Sequence, residues 1–504
     1  MKTPSPRTAA PAALLLATLG MALLAVPPRT ARTAVAGTRA KVHLVVTGPT
    51  SGELDPCGCS AGMHGGLDRR ISLLHALASD PRTIAIDCGD LTGPPRLSQL
   101  PAQPLFDTLK QALVLQALEK MPYDGFCIGD RDLRIPPFET GLALPSPYDT
   151  EFYGLAAVGQ MLFDRAPVLS NVSCSVPDLW KPWRVLGAES GVRVLLTCAI
   201  AAPDPLWSAE YTHRDAAEAL REAHSAASAE GPIDLFLCVY HGPSREAATE
   251  LARAVPELGL VLWADHEHTD DASQPIPTEG GCAIVAPGSR GTKILELELA
   301  RENGATRIEG IQAHAVDDSS SRDERLSRLT PEFRARAAAN RPPLTQHYAG
   351  QALPPGGDLY IGSQACARCH AEAFQVWRGS AHARAHETLA RPEPKTEGSL
   401  ADPNCVSCHT VGYGRAFGFA DPRIADTRVG TGSAERPLDL DLRGVGCESC
   451  HGPGLAHALR PSGPGRAAMS GVGARARETC YSCHDAENSP RFAFDEYWTR
   501  IRHR

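Results

Sequence analysis

The sequence predicts two unlike folds in one chain: an α/β layered sheet over residues 41–316, then a mostly α domain over residues 351–504. Short apolar runs alternate with helical apolar spacing in the first part, which is the pattern of a layered sheet. After Tyr360 the chain turns rich in Gly, Pro, Ala and His, with few strand signals. The same stretch repeats Cys-x-x-Cys-His, at Cys366–His370, Cys405–His409, Cys447–His451 and Cys480–His484.

The buried strands are expected at Val42–Val46, Thr83–Ile86, Val194–Ile200, Asp234–Tyr240, Leu258–Trp263 and Cys282–Ala286. Ile71–Leu77, Leu109–Leu118, Ala216–Ala227 and Glu246–Val255 carry helical spacing. Thr292–Leu299 alternates cleanly and reads as a sheet-edge strand. Residues 317–350 are polar, with Ser319–Ser321 at one end and Pro342-Pro343 near the other, and read as a linker containing one solvated helix.

Lys2 and Arg7 precede an apolar run from Ala12 to Val26, and Ala34-Val35-Ala36 is a small-x-small cleavage site. That order predicts a signal peptide over residues 1–36 and a periplasmic or otherwise exported protein. An uncleaved anchor is the alternative, because the run is long for a signal. No later run of eighteen uncharged apolar residues follows, so the body is expected to be soluble. A formal net charge of −8 and a pI near 6.1 give no support for a nucleic-acid partner.

Two thiols spaced Cys-x-x-Cys can each bond a porphyrin vinyl group, and the next histidine ligates the iron, so each repeat implies one covalently bound haem c. Zinc ribbons also pair such cysteines, but they need no histidine after the second one. The attachment residues are Cys366, Cys369 and His370; Cys405, Cys408 and His409; Cys447, Cys450 and His451; and Cys480, Cys483 and His484. Some 150 residues around four haems cannot form an ordinary apolar core, so the porphyrins must supply it. Sixth iron ligands must come from His347, His382, His386, His457 or His503.

From Tyr360 to His503 the sequence resembles the cytochrome c-554 type tetrahaem proteins. The likeness is carried by Cys366–His370, Trp377–Ala383, Glu387-Thr388-Leu389, Gly444–Gly454 and Cys480–His484 with Asn488-Ser489-Pro490. The resemblance implies single-electron transfer between closely spaced haems, with three irons bis-histidine and one open. By position, His382 is expected opposite His451 and His457 opposite His370. His347 and His386 compete for the iron of His484, and the iron of His409 is expected to be five-coordinate.

Residues 41–316 look like the calcineurin-type metallophosphoesterase fold, in its periplasmic 5'-nucleotidase branch. That family builds a two-metal site from Asp-x-His, Gly-Asp, Gly-Asn-His-Asp/Glu, a lone His and Gly-His-x-His. Here Gly89-Asp90, His241 and Asp265-His266-Glu267-His268 stand at expected strand ends. The first motif is replaced by Pro49-Thr50-Ser51-Gly52, and the third reads Gly129-Asp130-Arg131-Asp132, so Arg131 replaces the catalytic histidine. One divalent metal position keeps Asp90, Asp130, His241 and His266; the other keeps only Asp90 and His268. Two-metal phosphoester hydrolysis is therefore not expected; the domain is expected to bind a single metal or none, the alternative being that these polar residues are remnants packed at the strand ends.

Cys57-Gly58-Cys59, Cys88 and Cys127 form a second candidate, a thiol site for soft-metal or redox chemistry, against the plainer alternatives of core packing or a disulfide. Cys174, Cys198, Cys238 and Cys282 are expected in the core. Together these features favour an exported electron carrier whose partners are other redox proteins of the periplasm or membrane, with a fused, non-hydrolytic phosphoesterase-like domain for docking or for redox or metal chemistry. The alternatives are an oxidoreductase acting on a small nitrogen compound at an open haem, or a metal-dependent nucleotidase with an accessory cytochrome.

Overall fold

The computed structural model describes residues 40–54, 56–57, 64–91, 120–134, 166–264 except 177, 188–190 and 206, 276–277, 281–302, 305–339, 359–390, 403–413, 415, 417–419, 441–462, 475–484, 489 and 492–503, together with 114, 117, 118 and 400. In chain order the first part runs β1 (Ala40–Thr47), β2 (Pro56–Cys57), β3 (His64–Gly65), α1 (Leu67–Leu77), β4 (Thr83–Asp87) and β5 (Gly125–Phe126). It continues through β6 (Val172–Cys174), β7 (Arg184–Leu186), β8 (Val194–Ile200), β9 (Tyr211–His213), α2 (Ala216–Glu230), β10 (Leu235–His241) and α3 (Arg245–Ala254). β11 (Leu260–Trp263), β12 (Ile276–Pro277), β13 (Ala283–Val285), β14 (Lys293–Glu302), β15 (Ala305–Ala315) and α4 (Glu324–Ala339) complete it.

Two mixed sheets form, in the orders β15-β14-β1-β4-β5 and β12-β13-β11-β10-β8-β7. One apolar core joins them: Leu44 and Val46 of β1 belong to the same cluster as Leu196 of β8, Leu237 of β10 and Leu262 of β11. The outer face of the second sheet is covered by Leu220 and Ala227 of α2 and Ala248 and Leu251 of α3, which pack on Leu195, Phe236 and Val261. The result is an α/β layered sheet, with strands buried on both faces at its centre. Asp215 and Ser244 cap α2 and α3 by accepting from the amides of Glu218 and Ala247.

All six strands expected from apolar runs are present, each within two residues of its expected ends. Thr292–Leu299 corresponds to β14, but β14 is not an edge: β15 pairs along its outer side. Its alternation reports one buried face, Leu295, Leu297 and Leu299, opposite Glu296, which bridges His43 and His314. The helix expected over Leu109–Leu118 lies outside the described residues, save that Val114, Ala117 and Leu118 are helical and buried.

The helix expected to be solvated between the two parts is α4, and its first turns are docked instead. Leu326 and Thr330 are buried, and buried Asp68 of α1 accepts from Arg322 Nε and Ser327 Oγ. A carboxylate receiving a guanidinium and a hydroxyl holds that end of α4 on α1.

Beyond residue 358 the described structure is helical and short: α5 (Ser363–Cys366), α6 (Ala371–Gly379), α7 (Ala385–Thr388), α8 (Pro403–Cys408), α9 (Cys447–His451), α10 (Leu455–Leu459), α11 (Ala476–Tyr481) and α12 (Phe494–Ile501). A helix runs into or through every Cys-x-x-Cys-His repeat. Apolar side chains form only small clusters there, such as Tyr360, Val411 and Leu442. Among the described residues no helix is long and apolar enough to cross a membrane.

Candidate metal and haem sites

The parallel strands of both sheets point their C-terminal ends at one place, where ligands gather in open α/β sheets. Gly89 and Asp90 follow β4 and both take positive φ, at 85° and 47°. This turn aims the wholly buried Asp90 carboxylate back across the sheet end. Gly129 and Asp130 follow β5. A Cβ on Gly129 would fall 2.1 Å from Asp90 Oδ1, so glycine is required there. The amide of Arg131 donates to Asp90 Oδ1 at 2.8 Å, and the amide of Gly129 donates to buried Asp132 at 3.0 Å.

His241 ends β10 on the other sheet. Its Nε2 lies 2.8 Å from the carbonyl of Cys88, and donation there leaves Nδ1 as the ligating nitrogen. Nδ1 stands 3.3 Å from Asp90 Oδ2 and 3.6 Å from Asp130 Oδ1. Burial alone would lower the histidine's pKa, but the Asp90 carboxylate, then Asp130, raise it well above the ordinary value. Asp90, Asp130 and His241 offer ligand atoms within 4.8 Å of one another. The hard oxygens and single imidazole fit one divalent ion. Three of the four residues expected at this position thus converge, while His266 and His268 lie outside the described residues.

The position that would hold Asp-x-His carries no carboxylate or imidazole. Thr50 and Ser51 occupy it, and the Ser51 amide donates to the Asp90 carbonyl. Cys88 and Cys127 are wholly buried, and burial pushes both thiols well above their usual range, which is the inert condition. Cys59 lies outside the described residues, as does the side chain of Cys57. Cys198, Cys238 and Cys282 are core residues, whereas Cys174 is only half-buried.

In the C-terminal region three of the four motif histidines face other histidines. Ring centroids are 6.1 Å apart for His370 and His457, 5.9 Å for His382 and His484, and 5.8 Å for His451 and His503. Two imidazoles on one iron, each bonded at roughly 2 Å, place their centroids about 6 Å apart. Each of the three gaps would admit one iron between its two imidazoles. The sequence places His382 opposite His451, and the structure corrects this: the His382 ring faces His484, and His503 faces His451. The helix α12 carries His503 back to the third motif, a placement that sequence proximity could not reveal. Burial, with His484 and His409 nearby, holds His382 below its ordinary pKa, in the neutral form that binds iron. His347 lies outside the described residues, and His386 packs on Phe419 rather than on His484.

His409 is held differently, with Nδ1 2.6 Å from the Ala385 carbonyl, which leaves Nε2 for iron. The motif thiols also group: Cys366 lies beside Cys447, and Cys408 beside Cys483. This sets the first attachment site against the third and the second against the fourth. Glu448, inside the third motif, is buried and accepts from the amides of Ile361, Gly362 and Gly454 at 2.8–3.1 Å. It thereby ties the first motif's approach to the third, a role sequence reasoning missed.

Residues 365–452 match the family model described as cytochrome c554 and c-prime. The chain is 31% identical over 166 residues to cytochrome c-554 of Nitrosomonas europaea, covering 28% of this chain and 64% of that protein. The C-terminal region is similar to cytochrome c-554. The match thus spans just under two thirds of that relative's length. Solved structures similar to the chain include the 5'-nucleotidase precursor of Thermus thermophilus, with 16% identity and a TM-score of 0.43 over 65% of this chain and 62% of that one. The Haemophilus influenzae NAD nucleotidase has 11% identity and a TM-score of 0.44 over 70% and 68%. The calcineurin-like phosphoesterase YfkN of Bacillus subtilis has 16% identity and a TM-score of 0.41 over 60% and 98%.

Proposed function

We propose that the chain is an exported tetrahaem c-type cytochrome that transfers electrons singly, joined through residues 317–350 to an α/β domain that binds one metal and does not hydrolyse phosphoesters. The observation that carries the first part is the set of imidazole pairs His370–His457, His382–His484 and His451–His503 at 5.8–6.1 Å. Haem iron held by two imidazoles exchanges single electrons with little change in its ligands. The chain's part is to hold each pair in place. The Val445 amide donates to the His382 carbonyl, Trp377 Nε1 donates to the Val445 carbonyl, and Glu448 holds the amide of Gly454 just before His457. The Cys366–Cys447 and Cys408–Cys483 groupings support close passage between sites. The partners on this reading are other redox proteins.

The non-hydrolytic reading is supported by Thr50 and Ser51 standing where a second metal would need ligands. It is also supported by Arg131, a guanidinium that gives up no proton, at the catalytic histidine's place. The protein-film voltammogram of the haem-loaded chain tests the carrier reading. Reversible waves unchanged by nitrite or hydroxylamine are expected, and a catalytic current with either would replace the carrier with an oxidoreductase. Phosphate release from AMP with added Mn²⁺ would overturn the non-hydrolytic part.

A further inference from the structure

Beside the Asp90, Asp130 and His241 cluster, two arginines from different elements meet consecutive hydroxyls of one turn. Arg70 of α1 donates from Nη1 to Thr50 Oγ1 at 2.6 Å, and Arg131 points Nη1 at Ser51 Oγ at 3.5 Å. Ser51 holds a φ of 52°, an uncommon conformation for serine, so the turn is kept in a strained shape. A second turn, Gly288–Gly291, closes against it: a Cβ on Gly48 would overlap the Gly288 carbonyl, the Arg290 amide donates to the Pro49 carbonyl, and Gly291 abuts the Arg70 guanidinium.

Arg70 is 1% exposed, yet among the described residues its Nε and Nη2 have no hydrogen-bond partner. Ser289, on the second turn, is 2% exposed and its Oγ is likewise unpartnered. A buried guanidinium with two orphan donors is a costly arrangement unless something accepts from it. The nearby carboxylate, Asp87, offsets part of the Arg70 charge but gives these two nitrogens no hydrogen bond; its oxygens accept from Thr47 Oγ1 and the Gly89 amide. Ordered water could accept from these donors, but a neutral oxygen accepts more weakly than an anion does. An anion accepts from several donors at once, and a fork of guanidinium donors matches tetrahedral oxyanions.

We infer that the turn Thr50–Gly52, with Arg70, Arg131 and Ser289 around it, is a binding site for a tetrahedral oxyanion of the phosphate or sulfate class. Fixed positive charge thus stands next to the metal cluster, where a second metal would otherwise supply it. The site goes beyond the electron-carrier reading and draws its donors from the arginines, so it does not need the metal.

Titration calorimetry of inorganic phosphate into the full haem-loaded chain tests this, once after EDTA treatment and once with Mn²⁺. Saturable binding of one phosphate per chain in the EDTA-treated protein is expected, and sulfate should compete for it. Arg131→Gln should weaken binding about tenfold, and Ser289→Ala severalfold. These two avoid relying on Arg70→Ala, which risks misfolding. No saturable binding of phosphate or sulfate in either state would overturn the proposal. So would binding that appears only with Mn²⁺ and is equal in wild type, Arg131→Gln and Ser289→Ala. Failure to bind Mn²⁺ with phosphate binding intact would defeat the metal reading alone and support this one.

Discussion

Replacing Glu448 with alanine should loosen two haem sites at once. The carboxylate takes four hydrogen bonds from three buried amides, Ile361 at 2.9 and 3.1 Å, Gly362 at 2.8 Å and Gly454 at 2.8 Å. Alanine leaves three orphan donors, each worth about 1–3 kcal/mol when desolvated. Water entering the space recovers some of this, so the local cost is about 3 kcal/mol, or roughly two orders of magnitude in an opening equilibrium. Gly454 immediately precedes α10, which carries His457 towards His370. The loss should therefore reach the iron of the first motif as well as the backbone. Amide hydrogen exchange on the haem-loaded protein is the assay. Protection at Ile361, Gly362 and Gly454 should fall by about a hundredfold, with a rise in high-spin haem, and Glu448→Gln should give a smaller change. Protection at these amides unchanged to within about threefold would refute the reasoning.

Three other outcomes follow from the same geometry. Gly129→Ala puts a methyl group 2.1 Å from Asp90 Oδ1, so Mn²⁺ binding measured by calorimetry should be lost while the haem spectrum stays intact. His241 is raised well above its ordinary pKa by Asp90 and Asp130, so a cation binding at its Nδ1 must compete with a proton. Mn²⁺ affinity should therefore rise with pH and binding should release a proton; calorimetry in buffers of different ionisation enthalpy reads this. The sign reverses for metal-free stability, because the charged histidine's contribution is complete below about pH 6.5 and is lost as pH rises through the raised value. His503→Ala should convert one low-spin haem to high-spin, seen in the optical spectrum of the oxidised protein, without disturbing attachment at Cys447 and Cys450.

Much of the fold was legible because its strands are long apolar runs buried on both faces, from Val194–Ile200 to Leu260–Trp263. β14 misled because alternation reports a strand with one buried face and cannot say whether a neighbour covers its edge. β15, with Gly310, Gln312 and His314 among its residues, has too weak an apolar pattern to be seen. The four Cys-x-x-Cys-His repeats stood out in the sequence because the spacing that covalent haem attachment needs is local. Their partners did not: His503 reaches His451 from more than fifty positions away, and His382 prefers His484 to the closer His451. Arg70 and Glu448 were invisible for a related reason. A lone charged residue gives no sign in the sequence that it will be buried, and only tertiary packing assigns its partners.

The central claim, that imidazole pairs hold the haems for single-electron transfer, is tested most directly by low-temperature electron paramagnetic resonance of the oxidised protein. The account predicts at least three low-spin haems with bis-imidazole signatures, one of which turns high-spin in His382→Ala. Fewer than three such haems, or a His382→Ala spectrum identical to wild type, would contradict it.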